Sequence, residues 1–291
     1  MKKIMVTGAT GQLGSQVLKL LVEKTGGNGI SAIVRDVTKL SEFSELGVNV
    51  VYGDYNDRNS LVKAFSGIDL LYFVSGSDVS SRLQQHENVV VAAREAGVKH
   101  VVYTSFQRRN ETENSPVFLI AQAHLLTEKL LKESGLTYTI LKHALYSDVV
   151  PMFIGSDVLE KGVIYQPAGD GKVAFSSRSD MAKAGVAVLT GEGHENKTYE
   201  IAGEKSYAYS DVAEILSKIG GKPVVYVSPT AEEFSKTLSE AGVPAEIIGM
   251  VGAFSEGIKQ GEFDFPGTEL EKLIGEKPED LAGFLSKVYS K

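Results

Sequence analysis

The chain has no cysteine. This excludes disulfides, thiolate nucleophiles and cysteine-based zinc or iron–sulfur sites. No apolar run approaches the roughly 18 residues of a membrane-spanning helix. The opening "MKKIMVTGATG" carries two lysines, but its apolar stretch stops at Thr7-Gly8, too short for a secretory signal. A basic cluster is missing too. The one short pair, Arg108-Arg109, is followed by Glu111 and Glu113, and the net charge is -7. Nucleic-acid binding needs a basic face, so DNA or RNA is not an expected partner. His86, His100 and His194 lack ligand spacing, so no metal site is inferred. The chain shows no internal repeats or low-complexity tracts, and its composition fits a cytoplasmic protein.

At 291 residues, 43% hydrophobic and 23% charged, the chain can bury one large core, with room for a smaller companion. Its first half alternates two patterns. Short apolar runs ("KIMVTG", "ISAIVR", "VNVVYGD", "DLLYFVSG", "VKHVVYTS" and "TYTILK") read as strands. Between them, residues 15–24, 37–47, 59–67, 84–97 and 123–135 carry apolar residues at helical spacing. Such alternation predicts parallel strands joined by crossover helices, an α/β doubly wound parallel sheet of Rossmann-like form. The second half is less regular. A helix is expected over 179–191 with Ser179 or Asp180 as cap, a strand over 197–203, and a helix over 209–221 capped by Ser210. The expected division is a dinucleotide-binding core of residues 1–145 joined by 179–203. A smaller α/β C-terminal lobe, 146–178 and 204–291, would bind substrate.

"VTGATGQLG" (6–14) falls between the first strand and the first helix, the context that makes a three-glycine pattern informative. Gly8 permits the tight turn, Gly11 lets a pyrophosphate approach the backbone, and Gly14 lets helix and strand pack closely. Thr10, Gln12 and Leu13 lie in the same turn, where free N–H groups and the helix dipole favour phosphate. The bland alternative is a glycine-rich turn in an α/β protein. Arg35 closes the second strand about 20 residues beyond Gly14, where NAD-binding proteins place an acidic residue. An arginine there suits a 2′-phosphate, so NADPH is the expected cofactor, unless Asp36 turns inward to the ribose or Arg35 is simply solvated. Asp54 and Tyr55 in "GDYND", Val74, Ser75 and Gly76 in "FVSG", and Thr104 and Ser105 in "YTS" end the next strands and complete the expected cofactor set. An Asp in "GDYND" serves either adenine or the cap of the following helix.

The combination "VTGATGQLG", "AIVRD", "GDYND", "FVSG", "YTS", "TILKHALYSD" and "LIGEKPEDL" resembles the atypical short-chain dehydrogenase/reductase family. Within it, the chain is similar to the NmrA-like branch, on the side of NADPH:quinone oxidoreductases and triphenylmethane dye reductases. The resemblance implies an NADPH core under a small lobe, with hydride transfer to a quinone or dye-like conjugated acceptor. The Tyr-x-x-x-Lys pair of ordinary short-chain dehydrogenases falls on Ile120 and His124, so neither residue is present. That loss argues against alcohol–ketone chemistry and fits the quinone and dye reductases.

Candidate catalytic residues are His143, Tyr146 and His124. His143 stands where the subfamily usually has Asn. It either protonates a developing quinol oxygen or merely hydrogen-bonds a backbone carbonyl. His124 contacts ribose or substrate, or is only a helix-face residue. Phe106, Met152 and Phe153 either wall a flat acceptor or pack the second lobe. The competing function is a non-catalytic NADP(H)-binding redox sensor acting through a protein partner. A sugar-nucleotide epimerase is a weaker third reading, since it would want the missing Tyr-x-x-x-Lys.

Overall fold

The computed structural model describes residues 2–36, 39 and 44–290. Among these the strands are β1 (Ile4–Val6), β2 (Ile30–Val34), β3 (Asn49–Tyr52), β4 (Leu70–Phe73), β5 (His100–Phe106), β6 (Thr137–His143), β7 (Val163–Tyr165), β8 (Lys172–Val173), β9 (Lys197–Ile201), β10 (Tyr207–Ala208) and β11 (Val225–Val227). The helices are α1 (Gln12–Thr25), α2 (Arg58–Phe65), α3 (Arg82–Glu95), α4 (Phe118–Glu133), α5 (Val150–Ile154), α6 (Val158–Lys161), α7 (Arg178–Thr190), α8 (Tyr209–Gly220), α9 (Ala231–Glu240), α10 (Ala245–Lys259), α11 (Glu269–Ile274) and α12 (Leu281–Tyr289). The helix expected over 37–47 falls largely outside the described residues.

Seven strands form one sheet in the order β3-β2-β1-β4-β5-β6-β9. Every neighbouring pair is parallel. The chain winds outward from β1 in both directions, so the strand order reverses between β1 and β4, where doubly wound folds bind ligands. Alternate strand residues feed different layers, which is why these strands are apolar throughout. Ile4, Val6, Tyr72 and Val102 pack with α1 and α7 on one face. Met5, Leu71, Phe73 and Tyr103 pack with α2, α3 and α4 on the other. A third cluster, around Val150, Ile164, Tyr209, Leu216 and Phe263, lies in the C-terminal half and takes in Phe106 from the end of β5. Two small sheets, β8 with β10 and β7 with β11, belong to that half.

Two helix starts differ from expectation. The α7 cap is Ser177, whose hydroxyl accepts from the Asp180 N–H at 3.1 Å, rather than Ser179 or Asp180. The α8 cap is Ala208, not Ser210, because Asp211 reaches back to accept the Ala208 N–H at 2.8 Å. In both cases an Asp three residues into the turn decides where the helix begins.

Candidate active site

Gly8 leaves β1 with φ of +60°. Its carbonyl accepts the Gly11 N–H at 2.9 Å. Gly11 then starts α1 with no side-chain cap and no acid in the first turn. The positive end of a 14-residue helix is therefore left unneutralised by the protein's own side chains. Beside it lies a cavity of about 260 Å³ bordered by Gly8, Thr10, Gly11, Arg35, Asp54, Tyr55, Val74, Ser75 and Gly76. These come from the ends of four strands, as the strand-end reading required. Ser77, Asp78 and Gln85 also border it and were missed. Only the position of "SD" after "FVSG" pointed to the first two, and nothing local pointed to Gln85. A larger, open hollow of about 950 Å³ lies between Ser210 and Tyr226, where neither the glycine turn nor the large sheet borders it.

The remaining expected cofactor residues do not line the cavity. Gln12 is exposed at the helix start, and Leu13 is buried in the core. Gly14 is a packing residue. A Cβ there would stand 2.2 Å from the Gly8 carbonyl oxygen. Thr104 Oγ1 accepts the Ser75 N–H at 2.9 Å and so braces the cavity wall from behind. Ser105 donates its hydroxyl to Glu128 of α4, which also receives Arg108 Nη1 at 3.0 Å. The Ser105 hydroxyl is thus engaged inside the protein, away from the cavity lining. The cause is the buried Arg108–Glu128 pair behind it.

Two acids share the "GDYND" turn. Asp57 caps α2 by accepting from Asn59 and Ser60, while Asp54 accepts the Asn56 N–H at 2.9 Å and borders the cavity. The Tyr55 hydroxyl reaches Thr7 Oγ1 and the Val74 carbonyl, tying three strand ends together, and burial raises its pKa. Arg35 is exposed at the cavity rim.

Behind the cavity lies a buried layer of aromatic and imidazole rings. His86 Nε2 accepts the Gly76 N–H at 2.9 Å, and its Nδ1 lies 2.8 Å from Thr127 Oγ1. Tyr103 Oη is 2.8 Å from His124 Nδ1. Burial, with Arg82 nearby, lowers the His86 pKa to about 3. Burial, together with Arg82, His86, Arg108 and His143, holds His124 well below its usual value. Both shifts favour the neutral rings.

His143 is the last residue of β6 and pairs with Phe106 across the sheet. It is 2% exposed, and among the described residues neither ring nitrogen has a hydrogen-bond partner. The carbonyl bond weighed for it is therefore not made. Burial lowers its pKa to about 3, which favours the neutral ring. Its ring meets Tyr146 edge-on at 6.2 Å. Tyr146 lies under the Arg178 guanidinium at 4.3 Å, and burial pushes its pKa up to about 12. Phe106 stands 5.8 Å from His124 and contacts Phe254, which contacts Phe153. Met152 is 71% exposed on α5. Of the other histidines, His100 bonds Thr139 and His194 bonds Tyr199.

A tight glycine turn, an uncapped helix start and a rim arginine fit a phosphorylated dinucleotide. A model of the NmrA-like family matches residues 1–285. Quinone oxidoreductase 2 of Escherichia coli (strain K12) is 36% identical over 287 residues, 99% of each chain. The NADPH complex of an Escherichia coli NADPH-dependent quinone oxidoreductase superposes with a TM-score of 0.92, at 36% identity over 98% of this chain and 99% of that one. Citrobacter sp. triphenylmethane reductase complexed with NADP(H) gives a TM-score of 0.90, at 39% identity over 98% of this chain and 99% of that one. The similarity runs through the sheet and all but the end of the C-terminal half, well beyond the glycine turn, and the chain belongs to the NmrA-like family.

Proposed function

We propose that this chain is an NADPH-dependent oxidoreductase that reduces a quinone or a similar flat, conjugated acceptor such as a cationic dye. The observation that carries the reading is the pairing of a strand-end dinucleotide cavity with Ile120 and His124, where an alcohol dehydrogenase has tyrosine and lysine. Its relatives reduce quinones and triphenylmethane dyes by name. Bound NADPH supplies a hydride. A quinone that gains it delocalises the new charge over a ring, and a cationic dye is neutralised, so neither needs a strong acid in the transition state. The protein's task is then to orient the acceptor and exclude water.

In this reading Gly8, Thr10, Gly11 and the start of α1 hold the pyrophosphate. Arg35 grips the 2′-phosphate, and Asp54, Tyr55, Val74, Ser75 and Gly76 line the rest of the cofactor. His124, His143 and Tyr146, with Phe106 and Phe153, border the acceptor. Residues 1–145 and 179–203 form the core, and 146–178 with 204–291 the substrate lobe. Among the described residues no helix is long and apolar enough to cross a membrane, and we assign the chain to the cytoplasm.

The test is NADPH consumption with a panel of benzoquinones, naphthoquinones and triphenylmethane dyes, with NADH in parallel. Acceptor-dependent turnover that prefers NADPH is expected. Tight NADPH binding without turnover on any acceptor would overturn the enzyme in favour of a redox sensor.

A further inference from the structure

We propose that His86 and Tyr103 are positioning residues that lock His124 in its Nε2–H tautomer, making His124 a fixed hydrogen-bond donor to an oxygen of the acceptor. The donor role rests on the reductase reading above; the tautomer lock does not.

The donor directions in the buried layer follow one another. The Gly76 N–H can only donate, so His86 Nε2 is the acceptor and the His86 proton sits on Nδ1. That proton goes to Thr127 Oγ1 at 2.8 Å, and the Thr127 hydroxyl passes its own to the Ala123 carbonyl at 2.6 Å. The Tyr103 hydroxyl has two ring nitrogens in reach, His86 Nδ1 at 3.4 Å and His124 Nδ1 at 2.8 Å. The first already carries a proton and cannot accept. Tyr103 therefore donates to His124 Nδ1, which leaves the single proton of neutral His124 on Nε2. The reverse arrangement would leave the buried phenol proton only the Thr127 hydroxyl, which is less well placed than His124 Nδ1 at 2.8 Å and already faces His86 Nδ1.

His124 Nε2 itself has no protein partner among the described residues, while its ring lies against Phe106. Burial raises the Tyr103 pKa, so the phenol does not yield its proton. His124 is thus a donor that stays protonated, not one end of a proton relay. A quinone that has gained hydride carries the electron pair as a phenolate oxygen. The Nε2–H bonds that oxygen, and a proton from water later completes the hydroquinone. Removing one preorganised donor to a developing oxyanion generally slows turnover ~10²-fold.

The experiment is long-range proton–nitrogen NMR on the full chain labelled with nitrogen-15 histidine, whose five histidines keep the spectrum assignable. His86 should give the Nδ1–H pattern and His124 the Nε2–H pattern. Tyr103→Phe should mix the His124 tautomers and lower kcat for a soluble benzoquinone roughly 10–100-fold, with KM for NADPH unchanged. His124→Gln, which keeps an N–H donor, should retain more activity than His124→Leu. An Nδ1–H pattern for wild-type His124, or one unmoved by Tyr103→Phe, would overturn the lock whatever the turnover. A confirmed lock with full kcat in His124→Leu would overturn the donor role alone. A wild-type chain that reduces no acceptor overturns the reductase reading and the donor role, while the tautomer result stands.

Discussion

Gly14 lies against the Gly8 backbone so closely that a Cβ on it would stand 2.2 Å from the Gly8 carbonyl oxygen and 2.7 Å from its carbon. Gly11 differs, since a Cβ there meets only the Gly8 oxygen at 3.2 Å, and its φ of −85° suits any residue. Gly14 serves the fold, and in the proposed reading Gly11 serves the ligand. Gly14→Ala should cost about 2–3 kcal/mol by forcing α1 off the turn. Gly11→Ala should cost under about 1 kcal/mol yet weaken NADPH more than roughly 10-fold, by blocking the approach of the pyrophosphate to the backbone. Thermal melts and calorimetric titration separate the two. Comparable losses of stability would remove the division of labour.

Arg35 sits exposed at the cavity rim, free of the burial that would fix a structural role. A hydrogen bond to a charged group contributes about 1.5–3 kcal/mol. Arg35→Ala should therefore weaken NADPH about 10–100-fold and leave NADH within a few-fold. Equal losses for the two cofactors, measured by fluorescence titration, would take the 2′-phosphate away from Arg35.

Ser105, Glu128 and Arg108 form a buried unit, with the Arg108 side chain fully covered and that of Glu128 7% exposed. Removing one partner of a buried ion pair typically costs about 3–5 kcal/mol when the other charge is stranded; Arg108 keeps Glu111 at 2.9 Å, so the loss of Glu128 should fall toward the lower end. Glu128→Gln should lower Tm markedly, whereas Ser105→Ala should cost only about 1 kcal/mol and leave NADPH affinity unchanged. A large affinity loss in Ser105→Ala would return that hydroxyl to the cofactor.

The legible parts of this chain were those written locally. Strand runs buried on both faces, and a glycine turn flanked by strand and helix, carry their meaning in neighbouring residues, so the sheet and most of the cavity followed from them. Contacts across distance left no such trace. Glu128 reaches Ser105 and Arg108 from a helix some 20 residues away, and nothing in "YTS" signals that partner. His86 read as an unremarkable helix residue because the peptide it holds, Gly76, lies in a different turn. The starts of α7 and α8 were misplaced for a smaller reason: several Ser and Asp residues competed for each cap, and only geometry chose among them.

His86 and His143 both have their pKa lowered by burial from 6.5 to about 3. Between those values the unfolded chain binds the protons and the folded chain does not. The stability linked to the neutral rings is therefore complete above 6.5 and is lost as pH falls toward 3. Each histidine contributes a slope of about 1.4 kcal/mol per pH unit, so the pair gives about 3 kcal/mol per unit, with His124 adding in the same direction. Melts across this window should show Tm falling roughly 5–10 °C per pH unit. A flat Tm down to the carboxylate range would mean that these rings are charged in the fold.

His143 offers the sharpest separation of stability from function. Among the described residues its two buried ring nitrogens have no partners, and such groups cost about 1–3 kcal/mol each relative to satisfied ones. An apolar side chain of similar size should suit the site better. His143→Leu should hold or raise Tm near neutral pH, and should remove about 1.4 kcal/mol per unit from the acid slope. If His143 borders the acceptor, the same change should lower kcat/KM for quinones more than about 10-fold while NADPH affinity holds. A gain in stability at the expense of turnover is the pattern expected where a polar group is kept for its site and not for the fold. His143→Leu with full turnover and a raised Tm would leave His143 without a role at the acceptor and would move attention to Tyr146, its edge-on neighbour.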